Sequence, residues 1–332
     1  MIDLILSVVV AFVVSNFLTK MIIPRLTRAG ITGGDENKPD NPQVPEMGGL
    51  AIVAGFAAGV LMIFYFVSFT GPISSAGIGT AIASFNQIHV LAAMIAILAI
   101  AFIGVFDDLF NIPQWLKAFS PLLAAAPLVA LKVAGSTLIS IPFMGMVDFG
   151  LLYIFVLVPI AIAVCSNLTN MLAGFNGMEA GMGLVMFFTL SLLGWSNGST
   201  GMTILSISMF GALLGFLLFN WYPARIFPGD VGALTIGVAL ASAVIIGNLE
   251  SAGVILMIPY MIDFFIKAAN RFPHTYQEIR DGKLYPKDGK VKGLVHVAMK
   301  AFNGLSEKNL VMLFIGLECV FALIALLLFF RP

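Results

Sequence analysis

Charge is what this sequence has least of. Only 10% of its 332 residues are Asp, Glu, Lys or Arg, while 60% are hydrophobic and the mean hydropathy is +1.03. A water-soluble domain of this length needs far more charge to cover its surface. Cysteine is scarce as well. Cys165 and Cys319 both sit inside apolar runs, so they offer no disulfide framework and say nothing of redox compartment. The formal net charge is zero, so no nucleic-acid partner is expected. No removable signal peptide is expected, because the first run, Leu4 to Ile23, lacks a basic leader and a small-residue cleavage site. Internal repeats and low-complexity tracts are missing too.

Long apolar runs are what is present. Segments of about 20 residues recur along the chain, the length that crosses a hydrocarbon core as helix. Read between polar or Gly/Pro-rich breaks, they give about ten spans, at 3–23, 48–68, 88–106, 115–133, 150–166, 178–195, 201–221, 231–247, 251–267 and 309–330. The expected fold is an all-α polytopic membrane protein, one domain over 1–332, with a small external β-hairpin at 134–149. Ten spans put both termini on one side and the breaks 24–47, 107–114, 167–177, 222–230 and 268–308 on the other. Fifteen of the 17 Lys and Arg fall on or near that second side, leaving Lys132 and Arg331 opposite. Basic residues mark the cytoplasmic side of short loops and helix ends. The breaks are therefore expected to be cytoplasmic and both termini to face out, in the cell membrane if the source is prokaryotic.

Acids depend little on that rule, yet 13 of the 17 gather on the same side. Most read as ordinary solvated loop charge, but some abut helix ends. Asp107 and Asp108 directly follow the run Leu91 to Phe106. Two adjacent carboxylates at a membrane-embedded helix end are costly unless a cation neutralises them. They suit a divalent-metal or phosphate site, against the plainer reading of a solvated helix end. Asp230 follows Pro228-Gly229 and precedes Val231 to Gly247, where it reads as an N-cap or as a metal ligand. The break Asn167 to Glu179 carries Asn167, Asn170 and Asn176. Asparagine supplies neutral oxygen ligands and amide donors, although Asn176-Gly177 also signals a turn. Lys117 would ordinarily snorkel at the start of its span. Glu318, in the middle of the last span, is expected to make an interhelical hydrogen bond. The glycines of the first inner loop, from Gly33-Gly34 to Gly48-Gly49 around Glu46, allow close backbone approach to a ligand.

In this order and on one face, these motifs resemble the polyprenyl-phosphate N-acetylhexosamine-1-phosphate transferase family over nearly the whole chain. The matching residues are Asp107-Asp108 with Lys117, the run Asn167 to Glu179, and Phe227-Pro228-Gly229-Asp230. The asparagine run and Pro45-Glu46 look most like the archaeal and eukaryotic UDP-N-acetylglucosamine–dolichyl-phosphate branch. Met47-Gly48-Gly49 is closer to the bacterial form, and the last inner loop has neither the bacterial histidine triplet nor the eukaryotic Arg-His-Arg cluster.

The resemblance implies a cytoplasmic active-site cleft and the transfer of N-acetylglucosamine-1-phosphate from UDP-N-acetylglucosamine to a polyprenyl (dolichyl-type) phosphate, releasing UMP. That is the first step of lipid-linked oligosaccharide assembly, as in protein N-glycosylation. It implies Mg²⁺, with Mn²⁺ as a substitute, held by Asp230 and Asn170, and Lys117 on the phosphates. Asp107 and Asp108 take either a base role or a supporting one, and an aspartyl-phosphate route stays open. Asn167, Asn176, Glu46, His274 and Arg280 are the candidate substrate contacts. Partners are the sugar nucleotide, the lipid phosphate and the membrane, and a homodimer is compatible with all of this. Another UDP-N-acetylhexosamine donor, an intramembrane aspartyl protease and a secondary transporter are the alternatives. The protease needs aspartates on separate helices, commonly after Gly-x-Gly, and the transporter needs charge near the midplane.

Overall fold

In the computed structural model, residues 2–70, 85–141, 145–273 and 277–331 are described. Among these, eight helices are long and apolar enough to cross a membrane: α1 (Ile2–Ala29), α2 (Gly49–Thr70), α3 (Gln87–Phe110), the helix from α6 (Gly150–Leu152) through a π-helical stretch (Tyr153–Leu157) into α7 (Val158–Met171), α8 (Met178–Ser196), α9 (Thr200–Asn220), α10 (Gly229–Gly247) and α14 (Glu307–Phe329). A ninth, α11 (Glu250–Leu256) with α12 (Ile258–Ala269), is bent by 59° at Met257. Pro259 sits in the first turn of α12, where its missing N–H costs nothing, and it prevents one continuous helix.

The expected span 115–133 is not one long helix. It is split into α4 (Gln114–Ala124) and α5 (Ala126–Ala130) at Ala125, between Pro121 and Pro127. Its two ends are nonetheless fixed by α10. Lys117 reaches Asp230 at the start of α10, and the Ser136 N–H donates to Asn248 Oδ1 (3.0 Å) just past its end. Nineteen residues of α10 rise about 28 Å at 1.5 Å each, so these two contacts lie far apart along α10. An antiparallel pair, β3 (Leu138–Ile141) with β4 (Gly145–Asp148), falls inside 134–149. Two further pairs lie in the 32–45 and 277–286 segments: β1 (Thr32–Gly34) with β2 (Gln43–Pro45), and β5 (Gln277–Arg280) with β6 (Lys283–Pro286). A short helix of eight residues, α13 (Leu294–Ala301), precedes α14.

α10 is the centre. Every residue from Val231 to Ile245 is buried, so the helix is apolar all round and takes neighbours on every side, among them α2, α3, α7 and α9. With no hydrophobic drive between helices in lipid, small residues decide how close they come. A Cβ on Gly49 would lie 2.1 Å from Gly232 N, and one on Gly104 would lie 2.6 Å from Val231 Cα. These contacts are with backbone, which cannot step aside. They draw the start of α2 and the end of α3 onto the first turn of α10.

Glu318 departs from expectation. It is fully buried in α14, yet among the described residues neither carboxylate oxygen has a hydrogen-bond partner. The expected interhelical bond is not made, because α14 faces mostly apolar side chains of α8 and α11.

Replacing Gly49 by Ala is expected to cost about 1–3 kcal/mol through forced separation of α2 and α10. Thermal unfolding of the detergent-solubilised protein would read this as a lowered Tm. Gly316→Ala on α14, where an added Cβ meets nothing within 4 Å, is the matched control and should not lower it.

Candidate active site

Three chain segments converge at the start of α10. The Gly48 and Gly49 N–H groups donate to Phe227 O and Pro228 O (both 2.8 Å), and the Phe227 N–H donates to Pro45 O (2.8 Å). The first inner loop and the Phe227–Asp230 loop are thus stitched edge to edge, and Gly229 takes φ +65°, which favours glycine. A Cβ there would lie 2.4 Å from Asp108 Oδ2. That closeness explains what Asp108 does. Its Oδ1 accepts from the Asp230 N–H (2.9 Å) and its Oδ2 from the Val231 N–H (3.5 Å).

Asp230 is therefore not the N-cap that its position suggests. It lies inside the first turn of α10, and Asp108, reaching over from α3, satisfies the free N–H groups instead. Relieved of capping, the Asp230 carboxylate turns to Lys117. Lys117 Nζ lies 2.5 Å from Asp230 Oδ2 and 2.6 Å from Asp107 Oδ2. Asp107 Oδ1 accepts from the Ile112 N–H (3.0 Å), which pins the bend after α3. Asp107 is only 6% exposed, so the solvated-end reading fails for it, and Lys117 is paired rather than snorkelling.

These residues line a cavity of about 750 Å³, with Glu46, Asp107, Asp108, Asn170 and Asp230 on its wall. Glu46 lies over Gly33, where a Cβ would come within 1.9 Å of its Oε1, so the glycine makes room for this carboxylate rather than for a ligand. Burial, then the neighbouring Asp230 charge, raises the Glu46 pKa. Two of these carboxylates, on Asp107 and Asp230, share the Lys117 ammonium, Glu46 and Asp108 lie on the same cavity wall, and this excess of acids over bases suits an added cation. Among the described residues no three acids or histidines converge on one metal-sized point. Asp230 and Asn170 line the same cavity and are oxygen-bearing side chains. Sparse carboxylates completed by substrate phosphates are how Mg²⁺ is usually held, so the donors fit that ion.

A second, larger cavity of about 1060 Å³ adjoins the first and shares Asn170 with it. Its walls are mostly apolar, with Phe119 and Leu122 of α4, Ile160 and Val164 of α7, and Met261, Phe264 and Phe265 of α12. Polar groups, Lys117, Asn167, Asn170 and Lys267, belong to the same lining. Asn167 itself spans α4 and α7, donating to Ala118 O (3.1 Å) and Ala163 O (2.8 Å).

Other expected contacts fall elsewhere. Asn176 is 2% exposed and does not line the cavity. Its side chain donates to Asp35 Oδ2 (3.0 Å) and its backbone N–H to Glu307 Oε1 (2.8 Å). Arg280 is exposed, pairs with Glu278 Oε1 at 2.5 Å and lines neither cavity. His274 lies outside the described residues. Several inner acids are not solvated loop charge at all. Asp35 and Glu307 are buried about the Lys38 ammonium, itself 4.4 Å over the Tyr222 ring, and Asp263 is buried with Lys267. Sequence reasoning passed over Asp35, Asn37, Glu179 and Gln277, which line the 750 Å³ cavity. Asp35 and Asn37 flank the glycine-rich loop and Glu179 closes the asparagine run, so the motifs pointed at them without separating them from turn residues.

Helix ends here hold a carboxylate–lysine cluster beside a polar cavity and an apolar one, in a chain with eight helices long and apolar enough to cross a membrane among the described residues. Comparison with known proteins shows the family. A profile described as glycosyl transferase family 4 matches residues 90–248, which include both aspartate sites, Lys117 and the asparagine run. A Sulfolobus acidocaldarius protein is 38% identical over 328 residues, 98% of this chain and 96% of the relative. One from Saccharolobus solfataricus is 35% identical over 331 residues, again 98% and 96%. Both carry the provisional name UDP-N-acetylglucosamine–dolichyl-phosphate N-acetylglucosaminephosphotransferase. A Schizosaccharomyces pombe protein with that name unqualified is 29% identical over 292 residues, 76% of this chain and 65% of its own. The chain belongs to glycosyl transferase family 4 and is a sugar-phosphate transferase.

Asp108→Asn keeps an oxygen acceptor for the Asp230 N–H and should leave Tm near the parent value. Asp108→Ala removes the cap and should cost about 1 kcal/mol, within the 0.5–2 range for lost caps. Glu46 carries a second expectation, concerning pH. Its pKa is raised in the fold, so any stability it lends is present below its ordinary 4.5 and is lost as pH rises through the folded value. Glu46→Gln should therefore match or exceed the parent Tm at neutral pH and lose that margin in acid, as thermal melts across pH will show.

Proposed function

We propose that this chain transfers N-acetylglucosamine-1-phosphate from UDP-N-acetylglucosamine to a polyprenyl phosphate of dolichyl type, releasing UMP. The observation that carries the proposal is the shared wall. Asn170 stands between a polar cavity rich in carboxylates and an apolar one, with Lys117 ion-paired to Asp230 beside it. A sugar nucleotide suits the first space and a prenyl chain the second, so their phosphates would meet at Lys117, Asp230 and Asn170. The names of the two archaeal relatives and the yeast protein support this donor and acceptor.

In the reaction an oxygen of the lipid phosphate attacks the sugar-bearing phosphorus. A new phosphoanhydride bond forms, the old one breaks, and UMP leaves. The two substrates repel each other, so catalysis is mostly positioning and charge stabilisation. Mg²⁺, held by Asp230 and Asn170, would supply neutralising charge and a template for substrate oxygens. Lys117 places its ammonium on the same phosphates, and Asp107 orients that ammonium. Asp108 acts indirectly by fixing the start of α10 and hence the Asp230 carboxylate. A phosphate monoester has a second pKa near ~6, so the acceptor arrives mostly dianionic at neutral pH and needs no obligatory base. Glu46 and the Asp35–Asn37 loop remain to contact the donor.

The same reading makes 1–332 one membrane domain of ten crossings, counting α4 with α5 and α11 with α12 as one each. The basic bias puts the site on the cytoplasmic side and both termini outside.

Purified full-length protein given Mg²⁺, UDP-N-acetylglucosamine and a polyprenyl phosphate should release UMP. Asp230→Ala should lower that rate at least ~100-fold while the protein stays monodisperse, the scale of losing a charge-stabilising group. No UMP from any UDP-N-acetylhexosamine, over several lipid lengths, would sink the proposal.

A further inference from the structure

Two residues of α12 belong to no role assigned so far. Asp263 and Lys267 are 0% and 9% exposed, and they pair at 2.7 Å one helical turn apart. Desolvating both charges is expensive, and the Coulomb attraction alone often fails to repay it. Their remaining bonds say what the pair does. Lys267 Nζ donates to the carbonyl of Met171, the residue directly after Asn170 and the last of α7. Asp263 Oδ1 accepts from the Leu294 N–H (2.7 Å), the first residue of α13.

The carbonyls in the last turn of a helix have no partner within it, and a cation there is favourable on both hydrogen-bonding and dipole grounds. The helix gives way at Leu172, whose φ of −94° and ψ of 55° leave the helical region. The Leu172 N–H still closes the ladder on Leu168 O, but the carbonyls of that last turn, where Asn170 sits, have no helical N–H ahead of them. Lys267 therefore supplies the constraint that the sequence of α7 lacks. Direct contact of Lys267 with a bound phosphate is the rival use, since Lys267 lines the apolar cavity. Two of its three N–H groups are already spent on a carboxylate and a carbonyl, which anchors the ammonium at the end of α7.

We propose that Lys267 and Asp263 form a positioning clamp that holds the end of α7 so that Asn170 presents its amide oxygen to the cation shared with Asp230. Through Leu294 the clamp also ties that placement to the segment between α12 and α14. The inference rests on the reading that Asn170 and Asp230 hold Mg²⁺. Residues one shell out from a metal commonly shift its affinity by 10–100-fold.

The test uses full-length protein in detergent, with Mn²⁺ as the probe and its binding followed by EPR, so that no turnover is needed. Lys267→Gln should weaken Mn²⁺ binding at least ~10-fold, and Lys267→Arg, which keeps the charge, should recover most of that loss. The KM for lipid phosphate, measured at saturating metal, should stay near the parent value. Should Lys267→Gln fail to fold because Asp263 is left charged and alone, the double variant Lys267→Gln/Asp263→Asn removes both charges and should show the same Mn²⁺ defect. Unchanged Mn²⁺ affinity in a folded variant overturns the clamp. So does a defect equal in Lys267→Arg, a raised lipid-phosphate KM as the main effect, or a parent protein that binds no Mn²⁺. Failure of the parent to release UMP would instead strike the proposed reaction and leave the metal-binding comparison standing.

Discussion

Lys117 between Asp107 and Asp230 is the contact on which the rest of the site depends. It joins the end of α3, the start of α4 and the start of α10, three segments separated in sequence by up to 123 residues. Near a bilayer, two carboxylates without that ammonium would be left largely desolvated and unpaired, at a cost of several kcal/mol. The ion pair thus makes it tolerable to build a charged cluster at helix ends.

Asp108 completes the arrangement by an exchange of roles. Helix α10 begins without a side-chain cap of its own, and Asp108 of α3 serves its first N–H groups from outside. The Asp230 carboxylate is then available to the cavity. Glycines make the exchange possible, because Gly49, Gly104 and Gly229 sit where a Cβ would strike backbone or the Asp108 carboxylate. Packing of small residues and placement of charged ones are here one problem. The helix ends must come close before the carboxylates can share a lysine, and they stay close because the carboxylates do.

A second polar layer supports the first. Lys38 with Asp35 and Glu307, and Lys267 with Asp263, are buried ion pairs beside it, with Asp35 and Lys267 reaching the cavity linings. Glu307 reaches Asn176 and Lys267 reaches Met171, so the two groups of ion pairs hold the asparagine-rich break from two sides. Of the three asparagines in this break, only Asn170 lines both cavities. Asn167 and Asn176 spend their amides on backbone and on Asp35.

Much of this was legible in the chain by itself. Apolar runs of bilayer length require helices, because no other open structure satisfies backbone groups in lipid. The adjacent aspartates, Lys117, the asparagine run and Phe227 to Asp230 marked the site, since charge at a membrane helix end needs a reason. The partners of those charges could not be read there. Whether Asp230 caps its helix, whether Asn176 faces a ligand, whether Glu318 finds a donor and whether Asp35 and Asp263 are solvated all depend on which helix ends meet. That is decided by glycine contacts between α2, α3 and α10 and by the breaks at Ala125 and Met257. Local pattern encodes the length and face of each helix. Only packing in three dimensions brings an ammonium from one segment within 3 Å of carboxylates on two others, and the interaction falls off with distance in space, not along the chain.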